Sequence, residues 1–267
     1  MRRTWRTVVT DLERSLTARG RATLGEFSIE GTRLHERALR AGVQVERAVA
    51  SERFRRSEDL RVRSLMEELE SSGCELHVVP DEVIASLTEG RTHGELLGLV
   101  RTPAPPSFPD LLQSSGDALL LLVGVDLEEP GNVGALARTA LAAGATAFAT
   151  AGNGDPFHPK AVRTSMGSLF KLPMLRFDSG PEAVEVLAAQ EIRTVAATST
   201  GGRPLPQASL GPGSLAVILG GEAFGLPEAL VQRCDERVTI PMASEMDSLS
   251  INAAAAILLY EVQRRRP

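Results

Sequence analysis

Three short stretches of this 267-residue chain hold side chains that could do chemistry. In IPMASEMDSLSINAAAAILLYE, residues 240–261, Ser248, Ser250 and Asn252 occupy alternate positions at the mouth of an alanine-rich helix. One of these small polar groups is enough for a cap, and Ser248 or Asp247 can supply it. Asn252 would then lie in the first helical turn, where a short amide does not favour the helix. In LAVILGGEAFGLPEAL, Gly220 and Gly221 end a strand and remove two side chains where a ligand could approach the backbone; Glu222 follows at once. In GVDLEEPGNVGALARTALAAGA, Pro130 and Gly131 make a turn and Asn132 is a candidate cap. Arg138 lies on the border of the helical stripe Val133, Leu136, Ala137, Ala140 and Leu141. Hydroxyl, amide and carboxylate groups beside bare backbone are the ingredients of a polar reaction site. Each stretch alone also has a plain structural account: redundant capping, an ordinary strand-to-helix loop, and a capped helix with a surface arginine.

The elements that must position these residues can be read from hydropathy. The apolar runs ALLLLVGV, ATAFATAG, LPMLRF, IRTVAATS, LAVILGG and RVTIP are separated mostly by helical segments. Continuous apolar strands with helices between them predict an α/β domain with a parallel sheet covered on both faces. Ligands in such sheets sit beyond the carboxyl ends of the strands, and all three polar stretches follow strands. Pro227 suits the first turn of the next helix. Upstream, GEFSIEG, VERAVAS, CELHVV and GELLGLV read as strands. TRLHERALRAG, a segment from about 57 to 71, and DEVIASLTEG read as helices, giving a small α/β domain. Between the halves, TPAPPSFPD cannot carry a regular helix or central strand and reads as a linker. The expected organisation is therefore a first domain over 1–101, a linker over 102–110 and a second domain over 111–267.

Composition narrows the class further. Hydrophobic content of 43% supports a proper core. Cys74 and Cys234 stand far apart and outside any CxxC pair, which argues against a disulfide framework or zinc site and fits a reducing cytoplasm. His35, His77, His93 and His158 show no ligand spacing, so no metal is expected. The arginine-rich N-terminal stretch lacks a following apolar run, and the longest apolar runs are too short to span a bilayer. The expectation is a soluble, unexported protein with no membrane partner. Net charge is −5, yet arginines crowd the first part of the chain in RRTWR and RFRRSEDLRVR. Arg2, Arg3, Arg6, Arg53, Arg55 and Arg56 are candidate phosphate contacts, or alternatively the solvated, glutamate-paired faces of helices.

Taken together, the three stretches resemble the three motifs of the SPOUT superfamily of methyltransferases, in its SpoU or TrmH class of RNA ribose 2'-O-methyltransferases. EEPGNVGALARTALAAGA is similar to the first motif, ILGGEAFGL to the second and IPMASEMDSLSINAAAAILLYE to the third, in the family's order. HPKAVRTSMGSLFKLPM is a further similarity, and FSIEGTRLHERAL with HGELLGLV resembles the small ribosomal-protein-like domain that many members use for substrate binding. The resemblance implies a C-terminal domain threaded into a trefoil knot, which no strand pattern could have foretold. It also implies S-adenosylmethionine as cofactor and a homodimer formed through the knotted domain. The adenosine would be held by backbone around Leu219, Gly220 and Gly221 and around Ile240 and Met242. Leu249 would pack against it, with Thr198 and Ser199 on the rim. Arg138 would be the central catalytic residue. A guanidinium stays charged, so clamping a phosphate and stabilising a developing alkoxide suit it better than acting as a base. Asn132 and Glu222 would orient Arg138 or the ribose, and Ser248, Ser250 and Asn252 would bind the cofactor tail or the nucleotide.

Many members read Ser-Leu-Asn where this chain has Ser248-Leu249-Ser250, with an asparagine two positions later. A serine is shorter than an amide and cannot offer two donors, so Asn252 takes over or the site is weakened. The expected substrate is structured RNA, ribosomal RNA before tRNA. The alternatives are a tRNA methyltransferase, an RNA-binding protein of the same fold that has lost the chemistry, and a nucleotide-dependent oxidoreductase. The missing GxGxxG counts against the last.

Overall fold

The computed structural model describes residues 4–88, 94–115, 118–243 and 245–266, which leaves Arg2, Arg3 and His93 outside the described residues. The chain divides into two compact units, Met1–Pro103 with Phe157–Phe170, and Ala104–Pro156 with Lys171–Pro267.

The first unit runs α1 (Trp5–Ser15), α2 (Ala18–Leu24), β1 (Glu26–Glu30), α3 (Thr32–Arg40), β2 (Val45–Ser51), α4 (Glu52–Arg55), α5 (Leu60–Ser71), β3 (Glu75–Val79), α6 (Asp81–Leu87) and β4 (Leu96–Arg101). Its sheet has the order β1-β4-β2-β3. β4 is antiparallel to both β1 and β2, while β2 and β3 run parallel. The helix expected from about 57 starts at Leu60, because the Asp59 carboxylate caps it by accepting from the Arg61 N–H at 2.8 Å. A separate short turn, α4, precedes it, capped by Ser51. Buried Val8 and Leu12 of α1 pack with Val49, Val79, Ile84, Leu97 and Leu99. Residues 157–170 join this unit although they lie far downstream. The Phe157 ring sits 4.9 Å from that of Phe27, and Arg163 pairs with Glu30 at 3.3 Å.

The second unit contains α7 (Phe108–Ser115), β5 (Leu120–Val125), α8 (Pro130–Ala142) and β6 (Ala147–Ala151). After α9 (Pro159–Ser165), which belongs with the first unit, come β7 (Met174–Phe177), α10 (Gly180–Ala189), β8 (Arg193–Ala197), β9 (Arg203–Pro204), β10 (Leu215–Gly220), α11 (Glu228–Val231), β11 (Glu236–Thr239) and α12 (Ile251–Arg265). The sheet order is β7-β6-β5-β10-β8-β11-β9, and every pairing is parallel. The six apolar runs form six of its strands. The seventh, β9, is two residues long and lies at the edge, where Pro204 costs no ladder hydrogen bond that a neighbour needs.

All six residues of β5 are buried, as expected of a strand covered on both faces. Burying each such leucine or valine contributes ~1.5–3 kcal/mol relative to leaving it exposed. The stripe Val133, Leu136, Ala137 and Ala140 of α8 is buried, as are Ile251, Ala255, Leu258, Leu259 and Val262 of α12. The two helices pack against each other, and the Gln263 amide donates to the Ala143 carbonyl at 2.6 Å. From β5 the chain builds outward through β6 and β7, then returns to the far side of β10. This reversal brings the carboxyl ends of β5, β10, β8 and β11 together. No described helix is long and apolar enough to cross a membrane.

Candidate active site

β10 ends in a tightly folded glycine loop. A side chain on Gly220 would put its Cβ 2.1 Å from the Gly225 carbonyl carbon and 2.3 Å from the Leu226 nitrogen. One on Gly221 would come within 2.3 Å of the Asp126 carbonyl oxygen, at the end of neighbouring β5. Gly221 and Gly225 form an antiparallel bridge, with the Gly225 N–H donating to the Gly221 carbonyl at 3.0 Å. Gly225 has φ +62°, a conformation glycine adopts without strain. Gly220 and Gly221 are therefore required by close backbone approach, and Gly225 by its left-handed conformation.

This loop, the ends of β8 and β11, and the segment before α12 enclose a cavity of about 700 Å³. Thr198, Ser199, Leu219, Gly220, Gly221, Ile240, Met242 and Leu249 all line it. So do Asn132, Glu222, Ser248 and Ser250. Asn252 does not line the cavity but reaches the same place through hydrogen bonds. Its Nδ2 donates to Asn132 Oδ1 at 3.0 Å, and Asn132 Nδ2 in turn donates to Glu222 Oε1. Three segments distant in sequence are thus tied by one chain of side-chain hydrogen bonds. The buried Asn252 Oδ1 has no hydrogen-bond partner among the described residues, leaving an acceptor beside the site.

Three assignments of local role change. The cap of α8 is Glu129, whose carboxylate accepts from the Gly131 N–H at 2.9 Å, and Asn132 lies inside the helix. Pro130 at the first helical position sets the start one turn earlier and frees the Asn132 amide for Glu222 and Asn252. The cap of α12 is Ser250, whose Oγ accepts from the Ala253 N–H at 3.4 Å, in place of Ser248 or Asp247. Pro227 likewise stands at the cap position of α11, one residue before the helix proper.

Arg138 is exposed on α8, outside the cavity lining, and makes no hydrogen bond or ion pair among the described residues. The cavity also includes Phe224 and Arg237, which the sequence reading left out. The Arg237 guanidinium pairs with Glu228. Its signal was strand alternation in ERVTIP, and that of Phe224 was an aromatic residue inside a glycine turn. In the first unit, Arg53 pairs with Glu95, Arg56 donates to Glu52 at 2.8 Å, and Arg6 lies 4.5 Å over the Trp5 ring. Arg55 is exposed and without an ion pair among the described residues.

Residues 119–260, from the start of β5 into α12, match the SpoU rRNA methylase family. The chain belongs to that family. Residues 9–98 match the MRM3-like substrate binding domain. The chain is 27% identical over 259 residues to the 23S rRNA (guanosine(2553)-2'-O)-methyltransferase RlmP of Bacillus subtilis, covering 96% of this chain and 95% of that one. Among solved structures, it resembles the SpoU methyltransferase AviRb from Streptomyces viridochromogenes in complex with the cofactor AdoMet. That likeness has a TM-score of 0.84 and 28% identity over 98% of both chains. It also resembles an RNA 2'-O ribose methyltransferase, with a TM-score of 0.78 and 32% identity over 96% of this chain and 95% of that one. The SpoU match spans the polar residues of all three stretches, so the Asn252–Asn132–Glu222 chain lies wholly within it.

Proposed function

We propose that the protein transfers a methyl group from S-adenosylmethionine to a ribose 2'-hydroxyl of 23S ribosomal RNA. The observation that carries this reading is the hydrogen-bonded chain Asn252–Asn132–Glu222 beside the cavity formed by the post-strand loops. A volume of about 700 Å³, walled on one side by bare glycine backbone, fits a nucleoside-sized cofactor. Leu219, Gly220, Gly221, Ile240, Met242 and Leu249 would hold it, with Thr198 and Ser199 at the rim. When bound, the cofactor supplies an electrophilic methyl group on a sulfonium.

The protein's own groups then position the acceptor, and alignment alone can supply much of a methyl-transfer rate. Asn132 donates to Glu222 Oε1, fixing the carboxylate so that its other oxygen can accept from the ribose hydroxyl. Ser248 and the free Oδ1 of Asn252 orient the nucleotide or the cofactor tail, and Ser250 combines capping with a place on the cavity wall. Arg138 clamps a backbone phosphate and stabilises the developing alkoxide through its guanidinium donors.

The protein works as a homodimer in the cytoplasm, with residues 1–101 binding RNA, 102–110 as a linker that runs into α7, and 111–267, apart from 157–170, as a trefoil-knotted methyltransferase domain. Support for self-association comes from α8 and α12. Beside Arg138, Thr139, Ala142, Ala143, Ala256 and Tyr260 line a second hollow, and Tyr260 is 70% and Ile257 40% exposed. A second copy packed on this face covers apolar surface and brings Arg138 to a neighbouring site.

The test is transfer of tritiated methyl to total ribosomal RNA and, separately, total tRNA, both lacking this modification, using the wild type and Arg138→Ala. Incorporation into ribosomal RNA, abolished by the substitution, is the expected result. Incorporation into tRNA alone, or none together with no cofactor binding, overturns the reading.

A further inference from the structure

We propose that Phe224 is a stacking platform for an unpaired base of the substrate RNA at the mouth of the cavity. The inference rests on the methyltransferase reading above. Phe224 is 92% exposed, more than any other large hydrophobic side chain among the described residues. A single exposed apolar residue is ordinary, so exposure by itself decides nothing. Its scaffold and neighbours do.

The chain has eight phenylalanines, one tryptophan and one tyrosine, and Phe27, Phe54, Phe148 and Phe177 are spent in cores. Phe224, by contrast, is raised on the tightly turned glycine loop of the site. Gly220 leaves no room for a Cβ against Gly225 and Leu226, and the Gly221–Gly225 bridge closes the turn around it. The ring is therefore presented on fixed backbone without being packed. An aromatic surface held ready in this way loses little conformational freedom when a flat partner settles on it.

The partner's chemistry follows from the same cavity wall. Phe224 and Glu222 are two residues apart on one loop, and both line the cavity with Asn132. A ribose placed with its hydroxyl at Glu222 carries its base one glycosidic bond away, within reach of the ring. Bases released from a helix are recognised by stacking on aromatic side chains, and every base offers a π-face. Phe224 thus contributes affinity and presentation, while leaving the choice of base to other groups.

The test uses the full-length protein with S-adenosylmethionine and ribosomal RNA lacking the modification. Phe224→Ala should raise KM for RNA by roughly 5- to 150-fold, the range of one lost base stack, and leave cofactor affinity by calorimetry unchanged. Phe224→Tyr and Phe224→Trp should restore KM, and Phe224→Leu should not. An unchanged KM with Phe224→Ala, rescue by leucine as full as by tyrosine, or an equal loss of cofactor affinity each refutes stacking. Loss of self-association by sedimentation in Phe224→Ala assigns the ring to a protein contact and refutes it too. A wild type that methylates no RNA overturns the underlying reading and takes this inference with it; an active wild type with unaffected variants overturns the stacking alone.

Discussion

Asn132 sits in the first turn of α8, yet its amide caps nothing: one end accepts from Asn252 and the other donates to Glu222. Removing it leaves a carboxylate without its donor and strands a second amide. A hydrogen bond to a charged group contributes ~1.5–3 kcal/mol, so Asn132→Ala should lower kcat by roughly 10- to 100-fold. Cofactor affinity should be nearly unaffected, because the residues assigned to the adenosine, Leu219, Gly220, Gly221, Ile240, Met242 and Leu249, line the cavity without Asn132 holding them. Asn132→Asp should be worse, since it sets a second carboxylate against Glu222. Single-turnover methyl transfer beside calorimetry of cofactor binding separates these effects, and a kcat unchanged in both variants would show the relay to be idle. The sequence placed Asn132, Glu222 and Asn252 in one site through their resemblance to motifs, but not the bonds among them. Those depend on Pro130 starting α8 early and on α12 beginning only at Ile251, and helix boundaries are the least legible part of a pattern.

At the scale of elements, the loop after β10 is the least forgiving. Gly220→Ala would drive a methyl group into the Gly225 backbone at 2.1 Å, and backbone cannot swing aside as a side chain does. The expected outcome is loss of cofactor binding and a destabilisation of ~1–3 kcal/mol, typical of overpacking, read as a lower urea midpoint. A second element-level expectation concerns α3 and β4. His35 is fully buried, its Nδ1 2.8 Å from the Gly31 carbonyl oxygen, and Gly98 has no side chain where a Cβ would meet Nε2 at 2.6 Å. Burial pushes its pKa down to about 4, against the Gly31 hydrogen bond, which acts the other way. The unfolded chain binds a proton near pH 6.5 that the folded protein refuses until about pH 4. Stability is therefore complete above pH 6.5 and declines as pH falls towards 4. Urea midpoints across this range should fall for the wild type and fall less for His35→Gln; equal slopes would rule His35 out as the cause. Hydropathy pattern foretold six of the seven strands of the larger sheet and the four of the smaller. It missed α1, α2 and β9, read 102–110 as unable to carry a helix although α7 starts at Phe108, and started the 57–71 helix too early because Asp59 sets the cap. Nor could local pattern reveal that 157–170 pack with β1, since the Phe27–Phe157 contact spans distant sequence.

For the whole molecule, the question is which site Arg138 serves. It is exposed, unpaired among the described residues and absent from the wall of the cavity in its own chain, yet it directly precedes Thr139, which lines the exposed hollow of α8 and α12. If a second copy covers that hollow, Arg138 of one subunit and Glu222 of the other complete one site. Mixing subunits tests this directly. Arg138→Ala and Glu222→Gln proteins, each inactive alone, are mixed in equal amounts under conditions that exchange subunits. Half of the dimers are then mixed, and in a shared-site dimer one of their two sites carries both native residues while the other carries neither. Activity should return to about a quarter of the wild-type value by this counting for a two-fold dimer. With each site built from a single chain, the mixture holds no intact site and stays inactive. Tyr260→Asp provides the control: a charge on the proposed interface should yield monomers by sedimentation and abolish the recovery. Recovery without self-association, or self-association without recovery, would separate the dimer from the role assigned to Arg138.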